Sequence, residues 1–146
     1  MAIKDTRIQR EKREVILDAA LQVFSENGFR GATLDQIAAI AGLSKPNMLY
    51  YYAGKEVIYR TLLNRLLEKW LDPLENIDPS GDPHSEIMRY IYAKLEFSRS
   101  YPRESRLFAI EILNGAPRLS SELDGPLKNL VDRTVRIFRI WMDDGK

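Results

Sequence analysis

Apolar residues recur along this chain three and four positions apart, the spacing of a helix face, and nowhere alternate for long enough to make a strand. Ile16, Ala19, Ala20, Val23 and Phe24, with Leu17 and Leu21 at the margin, predict a helix over 10–27. Gly28 stops it, and the segment 1–9 ahead of it reads as polar and frayed. Phe29 is placed to fold back onto that helix. Leu34, Ile37, Ala38 and Ala41 predict a second helix, capped by Thr33 and ended at Gly42, where a left-handed residue costs least. Ser44 caps a third, with Pro46 in its first turn, where a missing N–H does no harm. The expected shared core is Ile16, Ala20, Phe24, Leu34, Ile37, Ala38, Leu43, Leu49 and Tyr52.

A longer helix is expected over 55–72 on Val57, Ile58, Leu62, Leu66 and Trp70, ended or kinked at Pro73. The polar, Pro- and Gly-containing stretch 76–83 is the best candidate for a boundary. Beyond it, 84–101 is expected to bury Ile87, Ile91, Leu95 and Ser98, and 103–114 to use Leu107, Ile110, Ile112 and Leu113. The last helix, over 119–143, carries Leu123, Leu127, Leu130, Val131, Val135, Phe138 and Trp141, its start disturbed by Gly125-Pro126. Ile137, Phe138, Ile140 and Trp141 make its final turns apolar on more than one side, a surface that wants a further partner. The pattern predicts an all-α fold of about seven helices: a three-helix bundle over 1–54, then a helical region over 55–146.

Composition narrows the function by exclusion. With no Cys among 146 residues there is no disulfide framework, thiolate chemistry or zinc finger, and no metal site or cofactor is expected. No run approaches the ~20 apolar residues that span a bilayer, and the N-terminus has no apolar signal core, which fits a cytoplasmic protein without a membrane partner. An enzyme is not expected: the single His84 lies in the Pro-rich loop, and no Gly-rich phosphate loop follows a strand. Glu96 and Glu111 are candidates for a carboxylate pair across two helices, but read better as members of a solvated or ion-paired face with Lys94, Arg99 and Arg106. The net charge of +1 divides unevenly, with eight Lys/Arg against six Asp/Glu in residues 1–55. That excess is small but compatible with a modest phosphate footprint.

The stretch 33–55 supports DNA contact more concretely, because helix, tight turn and helix within about twenty residues is the helix-turn-helix arrangement. Ser44, Lys45, Pro46 and Asn47 fall in the first turn of its second helix, the end aimed at base edges. Asn47 offers donor and acceptor together to adenine, and Lys45 reaches guanine acceptors or a phosphate. Tyr50 and Tyr51 carry hydroxyls at a reach suited to phosphates, while Tyr52 is assigned to the core, since three consecutive tyrosines cannot share one helix face. Thr33 and Lys55 stand at helix N-termini, which favour anions.

Phe29, Gly31, Thr33, Ala41-Gly42-Leu43-Ser44-Lys45, Leu49-Tyr50-Tyr51-Tyr52 and Lys55-Glu56 together resemble the TetR family of bacterial transcriptional repressors, over residues 13–60. Tyr52 stands where Phe is usual and Gly54 where a Ser cap is usual. The resemblance continues through Trp70-Leu71-Asp72-Pro73-Leu74, through Lys94-Leu95-Glu96 to Phe108, and through Glu111 to Pro117, where it is similar to a uracil- or thymine-responsive branch. It implies a DNA-binding domain over 1–54 and a regulatory, ligand-binding domain over 55–146. It also implies a palindromic double-stranded operator, a homodimer where the C-terminal helices are present, and a small-molecule effector, a pyrimidine, near Trp70, Leu71 and Leu74. Chains of this type usually continue with two further helices that form the dimer interface and close the ligand pocket. The regulatory domain is therefore expected to be incomplete at its C-terminus, as a fragment or as a short member that dimerises otherwise. The rival reading is a helical interaction module, or truncated regulator, that pairs with another chain and has little DNA affinity alone.

Overall fold

The computed structural model describes residues 6–119 and 125–146, which form seven helices and no strand. They are α1 (Arg7–Gly31), α2 (Leu34–Ala41), α3 (Lys45–Tyr51), α4 (Lys55–Glu75), α5 (Pro83–Ser100), α6 (Pro102–Leu113) and α7 (Pro126–Asp143). Leu123, expected on the last helix, lies outside the described residues.

α1 begins earlier than its apolar pattern. Thr6 Oγ1 accepts from the Gln9 amide at 3.2 Å and Gln9 Oε1 accepts from the Thr6 amide at 2.8 Å, a reciprocal cap that draws 7–9 into the helix instead of leaving them frayed. Gly28, at φ +66°, interrupts the helix as expected, and the turn after it swings Phe29 back against Phe24 and Tyr59, with ring centroids 6.1 and 5.0 Å away.

One main core joins α1, α2, α3, α4 and α6 through Ile16, Ala20, Phe24, Ile37, Met48, Ile58, Tyr59, Leu63 and Leu107. In α3 the inward residue is Met48, fully buried, rather than the half-buried Leu49. Met48 lies four positions before the buried Tyr52, so the two share one face of this short element. α4 does not end at residue 72 but continues through Pro73 to Glu75. So near a C-terminus, the missing proline N–H removes little from the helix.

The expected buried face of α5 faces solvent instead. Ile87, Ile91, Leu95 and Ser98 are all exposed, Leu95 by 61%, and α5 contains no buried residue. It meets α4 through Lys94 and Phe97, whose contacts with the Trp70 ring set the helix rotation and turn the aliphatic row away. α7 begins at Pro126 rather than at 119 among the described residues, and Leu119 belongs to the main core. It packs Ile137 and Trp141 onto Ile77 and Leu74, and the Trp141 indole N–H donates to the Pro79 carbonyl at 2.9 Å. Arg133 donates to the Glu75 and Ile77 carbonyls at 3.0 and 3.3 Å, placing a cation at the C-terminal end of α4. Val131, Val135, Phe138 and Ile140 remain exposed, so α7 is apolar on two sides and covered on one. No helix among the described residues is long and apolar enough to cross a membrane.

Candidate DNA-reading surface and effector region

The α2–turn–α3 unit is built from local bonds that its own side chains supply. Thr33 Oγ1 accepts from the Gln36 amide at 3.2 Å, and Gln36 Oε1 accepts in return from the Thr33 amide at 2.9 Å. Gly42, at φ +66° and ψ 32°, takes the left-handed conformation that closes α2. The Leu43 and Gly42 amides then reach back to the Ala38 and Ala39 carbonyls at 3.0 and 3.2 Å. Ser44 Oγ accepts from the Asn47 amide at 3.3 Å, starting α3 where Pro46 fits. Lys45 Nζ pairs with Asp35 Oδ2 at 3.0 Å and ties α3 to α2 across the turn. Both groups are well exposed, so the bridge is worth less than ~1 kcal/mol and yields readily to a phosphate.

These bonds fix which residues stand outward. Ser44, Lys45, Pro46 and Asn47 are exposed at the start of α3, and Tyr50 is 71% exposed on its outer side. Tyr51 is half-buried against the core, its ring edge-on to Tyr50 with centroids 5.1 Å apart. Arg13 of α1 donates to the Tyr51 carbonyl at 2.6 Å and lies over the rings of Tyr51 and Tyr52, at 6.0 and 5.1 Å, locking the end of α3 onto α1. Thr33 is committed to its cap at the start of α2. Lys55 is turned inward: its ammonium donates to the Phe29 and Ala32 carbonyls at 2.8 and 2.9 Å and lies 4.6 Å from the Phe29 ring centre. Gly54 gives α4 no side-chain cap, so no cap side chain occupies the amide end of α4, where helix geometry favours an anion.

The residues expected at the effector are distributed over two clusters. Trp70 is half-buried in an aromatic wall, 5.2 Å from Phe97 and 5.3 Å from Phe108 between centroids. Leu71 packs on the main core, whereas Leu74 faces α7 with Ile77, Ile137 and Trp141. Lys94 is not on a solvated face. It donates to the Trp70 carbonyl, sits 4.3 Å over the Trp70 ring centre and 5.4 Å from that of Tyr90, and burial alone pushes its ammonium down to about 8. Glu96 forms the expected surface pair, bonded to Arg99 at 2.9 Å.

Glu111 departs furthest from expectation. It is 2% exposed and binds Tyr59 Oη at 3.0 Å through one oxygen and the Arg118 amide at 2.9 Å through the other. Burial first, then the neighbouring Glu111 charge, raises the Tyr59 phenol far above its ordinary value, so it remains a donor. The Arg118 guanidinium reaches Glu56 at 3.3 Å and Glu111 at 3.8 Å and lies 3.6 Å from the centre of the Phe29 ring. This network ties the end of α1, the first turns of α4 and the end of α6 together beside a 500 Å³ cavity lined in part by Asn27, Arg30 and Asn114. Spacing along the chain signalled none of it, because its members lie far apart in sequence.

Comparison with known proteins identifies the family. Residues 16–62 match the family described as bacterial regulatory proteins, tetR family, and residues 63–146 match the C-terminal region of YcdC-like proteins. The two matches meet inside α4. The chain is 46% identical over 143 residues to the HTH-type transcriptional regulator RutR of Escherichia coli K12, covering 98% of this chain and 68% of that protein. Among solved structures, a TetR-like transcriptional regulator from Rhodococcus sp. RHA1 superposes with a TM-score of 0.76 at 22% identity, covering 98% of this chain and 76% of that one. A TetR family transcription regulator from Marinobacter aquaeolei VT8 gives 0.73 at 17% identity, covering 96% and 73%. These two support the fold alone, whereas the family matches and the RutR identity establish kinship: this chain is a TetR-type transcriptional regulator and belongs to the TetR family of bacterial regulatory proteins.

Proposed function

We propose that this chain works in the cytoplasm as a repressor that reads a palindromic operator as a homodimer and changes its affinity for it when a pyrimidine such as uracil or thymine binds. The observation that supports the reading surface is the rigid turn that leaves Ser44, Lys45, Pro46, Asn47 and Tyr50 together on the outer side of α3. In this assignment Asn47 and Lys45 meet base edges or the flanking phosphate, and Tyr50 and Tyr51 donate to phosphates. Thr33 and Lys55 contribute through the amide ends of α2 and α4. The DNA-binding domain spans 1–54 and the regulatory domain 55–146. No catalytic step belongs to this function, and the kinship with a transcriptional regulator disfavours the interaction-module reading.

α4 carries the signal. Its first turn follows α3 directly and its last turns hold Trp70, Leu71 and Leu74, so a ligand that moves one end moves the other. Two reading helices must sit ~34 Å apart on one face of B-DNA, and a small tilt of α4 alters that separation. Such coupling is typically worth 1–3 kcal/mol. Gel-shift titrations at fixed salt test the reading. Tyr50→Ala and Lys45→Ala are expected to weaken operator binding by tenfold or so each, as loss of a bond to a charged group implies. Unchanged affinity in both variants would remove α3 as the reader.

A further inference from the structure

The cavity between the end of α1 and the end of α6 holds more hydrogen-bond donors than its own walls satisfy. Its volume of 500 Å³ suits a small molecule, and Phe29, Tyr59, Ile110 and Pro117 give it apolar walls. Arg118 stands in it with 22% of its side chain exposed, held 3.6 Å from the centre of the Phe29 ring. A guanidinium has five N–H donors. Among the described residues only its Nε–H has an acceptor within bonding range, Glu56 at 3.3 Å, while Glu111 stays 3.8 Å away. Arg30 lines the same cavity, exposed and without an ion pair among the described residues. A half-buried guanidinium with so few bonds is costly unless an acceptor reaches it.

The acceptors nearest to these donors are already taken. Glu111 gives one oxygen to Tyr59 and the other to the Arg118 amide, and Glu56 is shared with Arg60. The carbonyls that end α1 and α6 here are met from within the fold. Phe29 and Ala32 accept from Lys55, Val23 from the Asn27 side chain, Ile110 from that of Asn114, and Glu111 from the Ala116 N–H. Bare helix C-termini repel an anion, but these are capped. Arg30, Lys55, Arg60 and Arg118 also outnumber the carboxylates of the network, Glu56 and Glu111.

We infer that this cavity is a second ligand site, for a small dicarboxylate, one carboxylate taking the free N–H fork of Arg118 and the other pairing with Arg30. A carboxylate fits because it is planar, only accepts, and is matched by a guanidinium through two parallel bonds. The second arginine calls for the second carboxylate, and the apolar walls suit the carbon chain between them. The site lies apart from the Trp70 cluster and does not depend on the pyrimidine reading. Its occupant competes with Glu56 for Arg118, and so loosens the tie between the loop after α6 and the first turn of α4.

Isothermal titration calorimetry on this chain at fixed ionic strength tests it, with succinate as the dicarboxylate and succinamide as its neutral counterpart. The wild type is expected to give a saturable one-to-one isotherm with succinate, at least about tenfold tighter than with succinamide. Arg118→Lys keeps the charge but loses the fork, and should weaken succinate about tenfold. Arg30→Ala, at an exposed position where truncation leaves the fold intact, should weaken it severalfold and leave succinamide unchanged. No saturable heat from succinate in a wild type with a normal melt would overturn the site. Equal affinity for the two probes, or wild-type affinity for succinate in both arginine variants, would overturn it as well. None of these results bears on the reading of α3 or on the pyrimidine.

Discussion

The two halves of the molecule differ in how completely they are closed. From Thr6 to Tyr52 the starts of all three helices are capped by side chains, α2 ends on a left-handed Gly42, and Ile16, Phe24, Ile37 and Met48 are fully buried. After α4 the pattern reverses: α5 buries nothing, and Val131, Val135, Phe138 and Ile140 of α7 stand exposed beside a small second cluster of Ile77, Ile137 and Trp141. A DNA reader must hold base-reaching groups within a fraction of an ångström, which favours a tight local core. A regulatory half must change shape with a ligand, which favours faces held by few contacts.

That contrast can be broken by mutation, and the largest effect is expected in the closed half. Phe24→Ala removes a fully buried ring that touches Phe29 and Tyr59 and should lower unfolding free energy by about 3–5 kcal/mol in urea titrations. Its counterpart in the open half, Leu95→Ala, should change stability by no more than ~0.5 kcal/mol. Equal losses would erase the distinction. Arg118→Ala comes next, at about 2 kcal/mol: it strips a partner from the buried Glu111 but leaves the Tyr59 hydroxyl donating to it. Because Arg118 joins α6 to Phe29 and Glu56, the proposed function predicts that the same variant also weakens the effector's influence on operator affinity more than it weakens operator binding itself. Thr33→Ala, which removes the hydroxyl half of the α2 cap and keeps the residue-33 amide that donates to Gln36 Oε1, should cost about 1 kcal/mol. Asp35→Asn, which frees Lys45, should cost less than ~1 kcal/mol and leave operator affinity equal or slightly higher.

The closed half was also the legible one, and for the same reason. Its caps, its Gly42 stop and the outward position of Tyr50 depend on residues within five positions of each other, so spacing carries them. Where spacing failed there, the Thr6–Gln9 cap carried α1 beyond its apolar pattern, and Met48 rather than the adjacent Leu49 took the inward position. In the regulatory half the deciding contacts span tens of residues. Lys94 meets Trp70, Glu111 meets Tyr59, and Arg118 meets Phe29, Glu56 and Glu111, and each of these charged residues would be assigned to the surface from its type alone. The rotation of α5 shows the cost: its aliphatic row follows a buried-helix spacing, yet the Lys94–Phe97 side is the one that faces α4. Lys55 is the intermediate case, found at the expected helix start but with its ammonium on two carbonyls.

The central claim is that α3 reads DNA through Lys45, Asn47 and Tyr50 in a two-fold symmetric pair. Affinity selection from a random duplex library at fixed salt tests it directly. The wild-type chain should enrich a palindrome whose half-sites repeat at one helical turn or a multiple of it, and the Asn47→Ala, Tyr50→Ala double variant should enrich nothing. Enrichment of the same palindrome by the double variant would contradict the account.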